Sequence, residues 1–330
     1  MASRESDERP ASLGEFSKAA EMAPHETGLN RSDERIRLNG SLLQGGSLES
    51  ESALGIQGKL RGPGSCAVYL SVLLPCHNEA RILDRCISET VKAIATEFDE
   101  PFEVVVVDDG STDETREIAE AAAQSTPGVR VVRLQPNGGK GAALRRAFAE
   151  TRGELVCFLD GDLDIHPRHV IPFVRLLQSA PADAVVGSKR HPLSQISYSP
   201  ERRFLSRAYE LFIRTLFGLR IRDTQAGIKV LRREVLERVL PLGLVKRYAF
   251  DAELLVLAHR LGYRIDEAPI EMKFREKYGS GVDLPAIGRM FLDTLGLFYR
   301  LHVTHYYDLP RIEQGDYRRR GLWRLFRFSS

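Results

Sequence analysis

The stretch CFLDGDLDIHP, residues 157–167, ends an apolar run with Asp160, Asp162 and Asp164 at every second position. Side chains two apart in an extended segment point the same way, so the three carboxylates converge if the strand runs on through Gly161. Left bare, they would repel one another and raise one another's pKa. A hard divalent cation, Mg²⁺ or Mn²⁺, removes the conflict, because such ions take one or two carboxylates together with phosphate oxygens. The spacing therefore points to a metal-held diphosphate. Capping the helix that opens near Pro167 would need only one acidic side chain. His166 is a candidate fourth ligand, but its place directly before a proline favours a turn residue.

Other chemistry-bearing residues also follow apolar runs. FEVVVVDDGSTDET ends in Asp108 and Asp109; Asp108 is expected to accept from ribose hydroxyls or a base N–H, and Ser111 with Glu114 is predicted to form a capping box. In PCHNEA, Glu79 serves the same pocket or favours the helix start through its dipole. PNGGKGAALRRAF sets Gly138, Gly139 and Gly141 around Lys140. This spacing fits neither GxGxxG nor GxxxxGK[ST], which counts against dinucleotide binding and ATP hydrolysis, yet N–H groups at a helix start beside a lysine suit an anion. Lys189, Arg190, Arg203, Arg207, Arg275 and Lys277 are mostly expected on the solvated surface, with a few lining a second phosphate site. Asp223 in DTQAGIK reads either as an acid/base group or as a partner for neighbouring arginines. No nucleophile elbow or Ser/His/Asp order stands out.

These residues need a scaffold that gathers strand ends. VYLSVLLP, FEVVVVDDG, VRVVRL, ELVCFLDGD and DAVVGS alternate with helical segments near 79–96, 113–124 and 141–151. Continuous apolar strands alternating with helices predict an α/β fold: a doubly wound, mostly parallel sheet covered on both faces, with ligands at the carboxyl ends of its strands. Two amphipathic helices, 201–217 and 249–261, and a strand-like DEAPIEMKF follow. Three regions are expected: a disordered arm 1–66, a catalytic domain 67–283, and an amphipathic helix with a basic tail 284–330. In that last region Ile287, Met290, Phe291, Leu295 and Phe298 form a helical stripe that reads as interfacial or as core packing.

A net charge of +2 gives no global signal for nucleic acid. Cys66, Cys76, Cys86 and Cys157 lack CxxC spacing, which favours a reducing compartment. No run reaches the roughly 20 apolar residues of a membrane span. The expectation is a cytoplasmic protein, peripheral on the cytoplasmic membrane face.

Taken in order, SVLLPCHNE, VVVVDDGSTDET, NGGKGAA, FLDGDLD and DTQAGIKVLRR resemble the inverting family-two glycosyltransferases of GT-A fold, and among them the polyprenyl- and dolichyl-phosphate sugar transferases. The resemblance spans roughly residues 68–300. It implies sugar transfer from a nucleoside diphosphate sugar to a polyprenyl phosphate with Mg²⁺ or Mn²⁺. Pro75, Glu79 and Asp108 would hold the nucleoside and Lys140 would lie near the diphosphate. Asp160 would contact ribose or metal, and Asp162 and Asp164 would ligate the metal; many members carry glutamine at the place of Asp164. Arg190, Ser206, Arg207 and Arg275 match positions near the acceptor or leaving phosphates. DTQAGIK and YAFDAELL resemble the glucose branch more than the mannose branch, favouring UDP-glucose over GDP-mannose. A phosphate dianion has less need of a general base than an alcohol does, so Asp223 would orient the acceptor or an arginine.

Three alternatives stand beside this reading. A soluble or glycan acceptor would need a base such as Asp223. A nucleotidyltransferase would carry a Gly-rich, basic first loop where this chain has PCHNEA. The third is a non-enzymatic nucleotide-sugar or metal-binding module, against which the intact Asp160 to Asp164 argue.

Overall fold

The computed structural model describes residues 68–197, 200–247, 249–273 and 284–308. The amino-terminal arm, the tail from 309 to 330, and Arg275 and Lys277 lie outside the described residues.

Seven strands form one sheet in the order β3-β2-β1-β4-β7-β5-β8. They are β1 (Leu70–Cys76), β2 (Phe102–Asp109), β3 (Val129–Leu134), β4 (Leu155–Leu159), β5 (Ala184–Ser188), β7 (Ile228–Arg232) and β8 (Ile265–Pro269). β1 pairs in parallel with both β2 and β4. The chain moves outward from β1 to β3 and then returns to the other side of β1, so the strand order reverses between β1 and β4. That switch point opens a crevice at the carboxyl ends of these two strands. β7 runs antiparallel between β4 and β5, in a segment where the sequence reading placed no strand. A two-stranded sheet of β6 (Gln195–Ser197) and β9 (Glu271–Lys273) lies apart, because DEAPIEMKF breaks at Ile270 into two strands.

The central strands are apolar on both faces because both faces are covered. Val72, Leu74, Val104, Val106, Cys157 and Leu159 pack with helices α1 (Leu83–Glu97), α2 (Thr115–Ser125) and α4 (Val170–Ser179). Their neighbours in sequence, Leu73, Val105, Val107, Val156 and Phe158, face α3 (Lys140–Phe148), α5 (Pro200–Phe217), α6 (Arg233–Val239) and α7 (Phe250–Arg260). α7 is buried almost all round, from Phe250 through Ala258, which places Asp251 and Glu253 inside the protein.

Helix α8 (Leu284–Phe298) packs on α5 through Phe291, whose ring lies 5.3 Å from Tyr209 and 5.1 Å from Phe212. Thr294 is buried there and its Oγ1 lies 2.9 Å from Tyr209 Oη. The apolar stripe therefore divides: Met290 and Phe291 face the core, whereas Leu295 joins Leu292 on the exposed side. Among the described residues no helix is long and apolar enough to cross a membrane.

Candidate active site

The switch point collects four loops. Asn78 donates its backbone N–H to Ser111 Oγ at 3.0 Å, Glu79 to Thr115 Oγ1 at 2.8 Å, and Ala80 to Asp113 Oδ2 at 3.2 Å. The loops after β1 and β2 are thereby tied edge to edge, with Pro75 and Glu79 on one side. The predicted Ser111/Glu114 capping box does not form. α2 begins only at Thr115, and Asp113 Oδ1 accepts from the Thr115 N–H at 3.1 Å. A carboxylate is the stronger acceptor, so Ser111 is left to receive the first loop.

Asp108 is fully buried. Its Oδ1 accepts from the Ser111 N–H at 2.9 Å, and its Oδ2 faces Arg133 Nε at 3.3 Å without making a hydrogen bond. Asp109, to which the sequence reading gave no role, grips the glycine loop. Its two oxygens accept from the N–H groups of Gly138 at 2.7 Å and Gly139 at 2.8 Å. The Gly141 N–H is also taken, by the Lys246 carbonyl at 2.7 Å. The expected backbone anion site is therefore filled by the protein's own acceptors, and the positive charge the loop presents is Lys140. Gly139 holds φ at 86°, and a Cβ there would lie 2.7 Å from the Lys246 oxygen, so only glycine fits.

β4 stops at Leu159, and residues 160–164 form a turn in which Leu163 takes φ of 56°. The carboxylates therefore do not alternate along one extended strand, which corrects the expectation of convergence by period two. Asp162 Oδ1 accepts from the Asp164 N–H at 3.0 Å, an Asx turn. Asp160 donates its backbone N–H to the Gly227 carbonyl at 2.9 Å, and its Oδ1 pairs with Lys140 Nζ at 2.8 Å. His166 caps the next turn through Nδ1, which accepts from the Arg168 N–H at 3.1 Å.

Among the described residues no three acidic, histidine or cysteine side chains are already arranged to hold a metal ion. Asp162 and Asp164 are half-buried carboxylates on a turn at the crevice. That donor set fits a Mg²⁺ or Mn²⁺ ion held by one or two carboxylates and completed by phosphate oxygens, not a closed protein cage.

Behind Lys140 lies a chain of charges. Lys140 Nζ also donates to Asp251 Oδ2 at 3.1 Å; Asp251 Oδ1 lies 2.7 Å from Lys229 Nζ; and Lys229, 1% exposed, donates to the Ala226 carbonyl at 2.6 Å. Burial by itself works to lower the Lys140 pKa, but Asp160 and Asp251 outweigh it and hold it raised. Burial also works to raise Asp251, but Lys140 and Lys229 bring it down to about 2. For Lys229, burial prevails over the pull of Asp251 and lowers the pKa. Sequence reasoning missed Lys229 and Asp251 as functional candidates, although both lie within the segments DTQAGIK and YAFDAELL.

The basic residues divide. Arg190 is ion-paired through Nε with Glu210 and reaches Ser206 Oγ at 3.4 Å. Burial raises the Glu210 pKa against the lowering effect of Arg190. Arg207 is exposed on α5. Asp223 is buried: Oδ2 accepts from the Lys189 N–H at 2.9 Å and lies 3.1 Å from Lys189 Nζ, and Oδ1 accepts from the Gln225 N–H at 3.0 Å. The charged partner of Asp223 is thus a lysine, where the sequence reading had named neighbouring arginines as the alternative to an acid/base role.

Residues 71–240 match the family Glycosyl transferase family 2. The chain belongs to this family. Among curated relatives of this glycosyltransferase is the dolichyl-phosphate beta-glucosyltransferase ALG5A of Trichomonas vaginalis, 34% identical over 71% of this chain and 75% of that enzyme. The glycosyltransferase AglD of Haloferax volcanii is also 34% identical, but over 67% of this chain and only 35% of its own length. This chain thus spans about a third of AglD and three quarters of ALG5A. In structure, the glucosyl-3-phosphoglycerate synthase of Mycobacterium tuberculosis, solved with Mn²⁺, UDP-glucose and phosphoglyceric acid, superposes with a TM-score of 0.53 at 22% identity, covering 78% of this chain and 84% of that one. The shared architecture is the GT-A fold expected from the motifs.

Gly227 supplies a local test of this glycosyltransferase's site. A Cβ there would collide with Asp160 Oδ2. Gly227→Ala is expected to push the carboxylate off Lys140 and cut sugar transfer roughly tenfold or more, as a small displacement in a positioned site does. Melting should shift only slightly, because the Asp160 side chain borders solvent. Transfer at the unsubstituted rate would show that the Asp160 position is unimportant.

Proposed function

We propose that this glycosyltransferase moves glucose from UDP-glucose to the phosphate of a polyprenyl lipid of the dolichyl type, inverting the anomeric carbon. The observation that carries the reading is the 34% identity to a dolichyl-phosphate beta-glucosyltransferase over three quarters of that enzyme. Pro75, Glu79 and Asp108 frame the nucleoside, and Lys140 meets the diphosphate. Asp162 and Asp164 hold a divalent cation, with Asp160 shared between that role and Lys140. When bound, the cation neutralises charge on the departing diphosphate. The acceptor's phosphate oxygen bonds to the anomeric carbon as the bond to the UDP oxygen breaks. A phosphate dianion is already a nucleophile, so the step needs no proton acceptor. That agrees with the engagement of Asp223 by Lys189 and Gln225. Arg207 and Arg275 are assigned to the acceptor phosphate, and Arg190, through Ser206, to the placement of α5.

The lipid is proposed to approach along α5 and α8. Phe204 is 71% and Leu211 67% exposed on α5, and Leu292 and Leu295 are exposed on α8. Arg203, Arg207, Arg214 and Arg289 are exposed around them. An apolar face rimmed by arginines complements an anionic lipid surface.

The test is radiolabel transfer in detergent, with UDP-glucose and GDP-mannose offered separately to dolichyl phosphate, in Mn²⁺ and in EDTA. Metal-dependent label in the organic phase from UDP-glucose alone is expected. Label from GDP-mannose alone would overturn the sugar, and label released only into water would overturn the lipid acceptor.

A further inference from the structure

Lys140 is held in place from behind. Its ammonium has three N–H donors. One meets Asp160 at the mouth of the crevice and one meets Asp251 in the interior, which among the described residues leaves the third for a ligand. Asp251 stays charged inside the protein because Lys229 neutralises it from the far side, and Lys229 is itself anchored to the Ala226 carbonyl. The four side chains carry two positive and two negative charges. An incoming diphosphate with a divalent cation can take Asp160 away from Lys140 without leaving the lysine unpaired, because Asp251 keeps its hold.

We propose that Asp251, backed by Lys229, is a positioning residue that tethers Lys140 while the lysine exchanges Asp160 for the donor's diphosphate. The proposal rests on the reading that a nucleoside diphosphate sugar binds at this crevice. It predicts that the tether acts on the phosphates and not on the nucleoside.

The experiment is calorimetric titration of the full chain with UDP and, separately, with uridine, in EDTA so that no metal contributes. Asp251→Asn is expected to weaken UDP about tenfold, the loss of roughly one hydrogen bond to a charged group, and to leave uridine unchanged. In a Lys140→Met background Asp251→Asn should cause no further loss, since the tethered group is gone. Should Asp251→Asn fail to fold, the pair Lys229→Met with Asp251→Asn removes both buried charges together. That double variant should melt near the unsubstituted protein and still lose the tenfold in UDP affinity. Unchanged UDP binding in the folded double variant would overturn the proposal. So would equal weakening of UDP and uridine, or a full additional loss on top of Lys140→Met, since both mark a merely structural role. An unsubstituted chain that binds neither UDP nor uridine would overturn the functional reading itself, and this proposal with it.

Discussion

Asp162→Ala is expected to lower sugar transfer by on the order of 10²–10³-fold, the scale of losing one preorganised electrostatic contact to developing charge. The side chain sits half-buried on the turn after β4, beside Asp164 and two positions past the Asp160–Lys140 pair. Within the protein its Oδ1 accepts the Asx-turn hydrogen bond from the Asp164 N–H, whose loss costs the fold about 0.5–1.5 kcal/mol. In a domain of this size that lowers Tm by a few degrees at most. UDP binding in EDTA should be unaffected and its enhancement by Mn²⁺ abolished. Transfer at a near-normal rate, or Mn²⁺-enhanced binding in the variant, would remove Asp162 from the metal site.

The second large effect is one of stability. Asp109→Ala removes the acceptor for two backbone donors at once, the N–H groups of Gly138 and Gly139. Both belong to the glycine loop, which is held from the other side by Lys246, whose carbonyl accepts from the Gly141 N–H. The Gly139 site is buried and the Gly138 site partly buried, and an unsatisfied buried group costs about 1–3 kcal/mol. A total of about 2–5 kcal/mol is expected, lowering Tm by roughly 5–15 °C in a thermal melt, with loss of transfer because Lys140 rides on the same loop. Asp109→Asn should recover little, since its amide group can face only one of the two donors as an acceptor. An Asp109→Ala variant that melts with the unsubstituted protein would show that the loop holds its shape without this carboxylate.

Much of the scaffold was legible because it depends on short-range pattern. Fully apolar strands such as VVVV in β2 and the alternating helices predicted a doubly wound sheet, and the helix bounds fell within a few residues. The strand ends that carry Pro75, Asp108 and Asp160 followed from the same pattern. β7 escaped notice because IKVLR places a lysine inside a strand, which reads as surface until a buried carboxylate is known to face it. The Ser111 capping box failed because the motif counts positions along one chain, whereas Ser111 is claimed by Asn78 on another loop.

By itself the sequence determined the residue types at the crevice: the aspartates, the glycine loop with its lysine, and the order of motifs that places the chain among family 2 glycosyltransferases. Tertiary structure alone decided how their charges are shared. Lys140 and Asp251 stand 111 positions apart, and no local spacing relates them. Only the packing of α7 against α3 and β7 brings that carboxylate between two lysines, and burial, by removing water, makes their pairing obligatory.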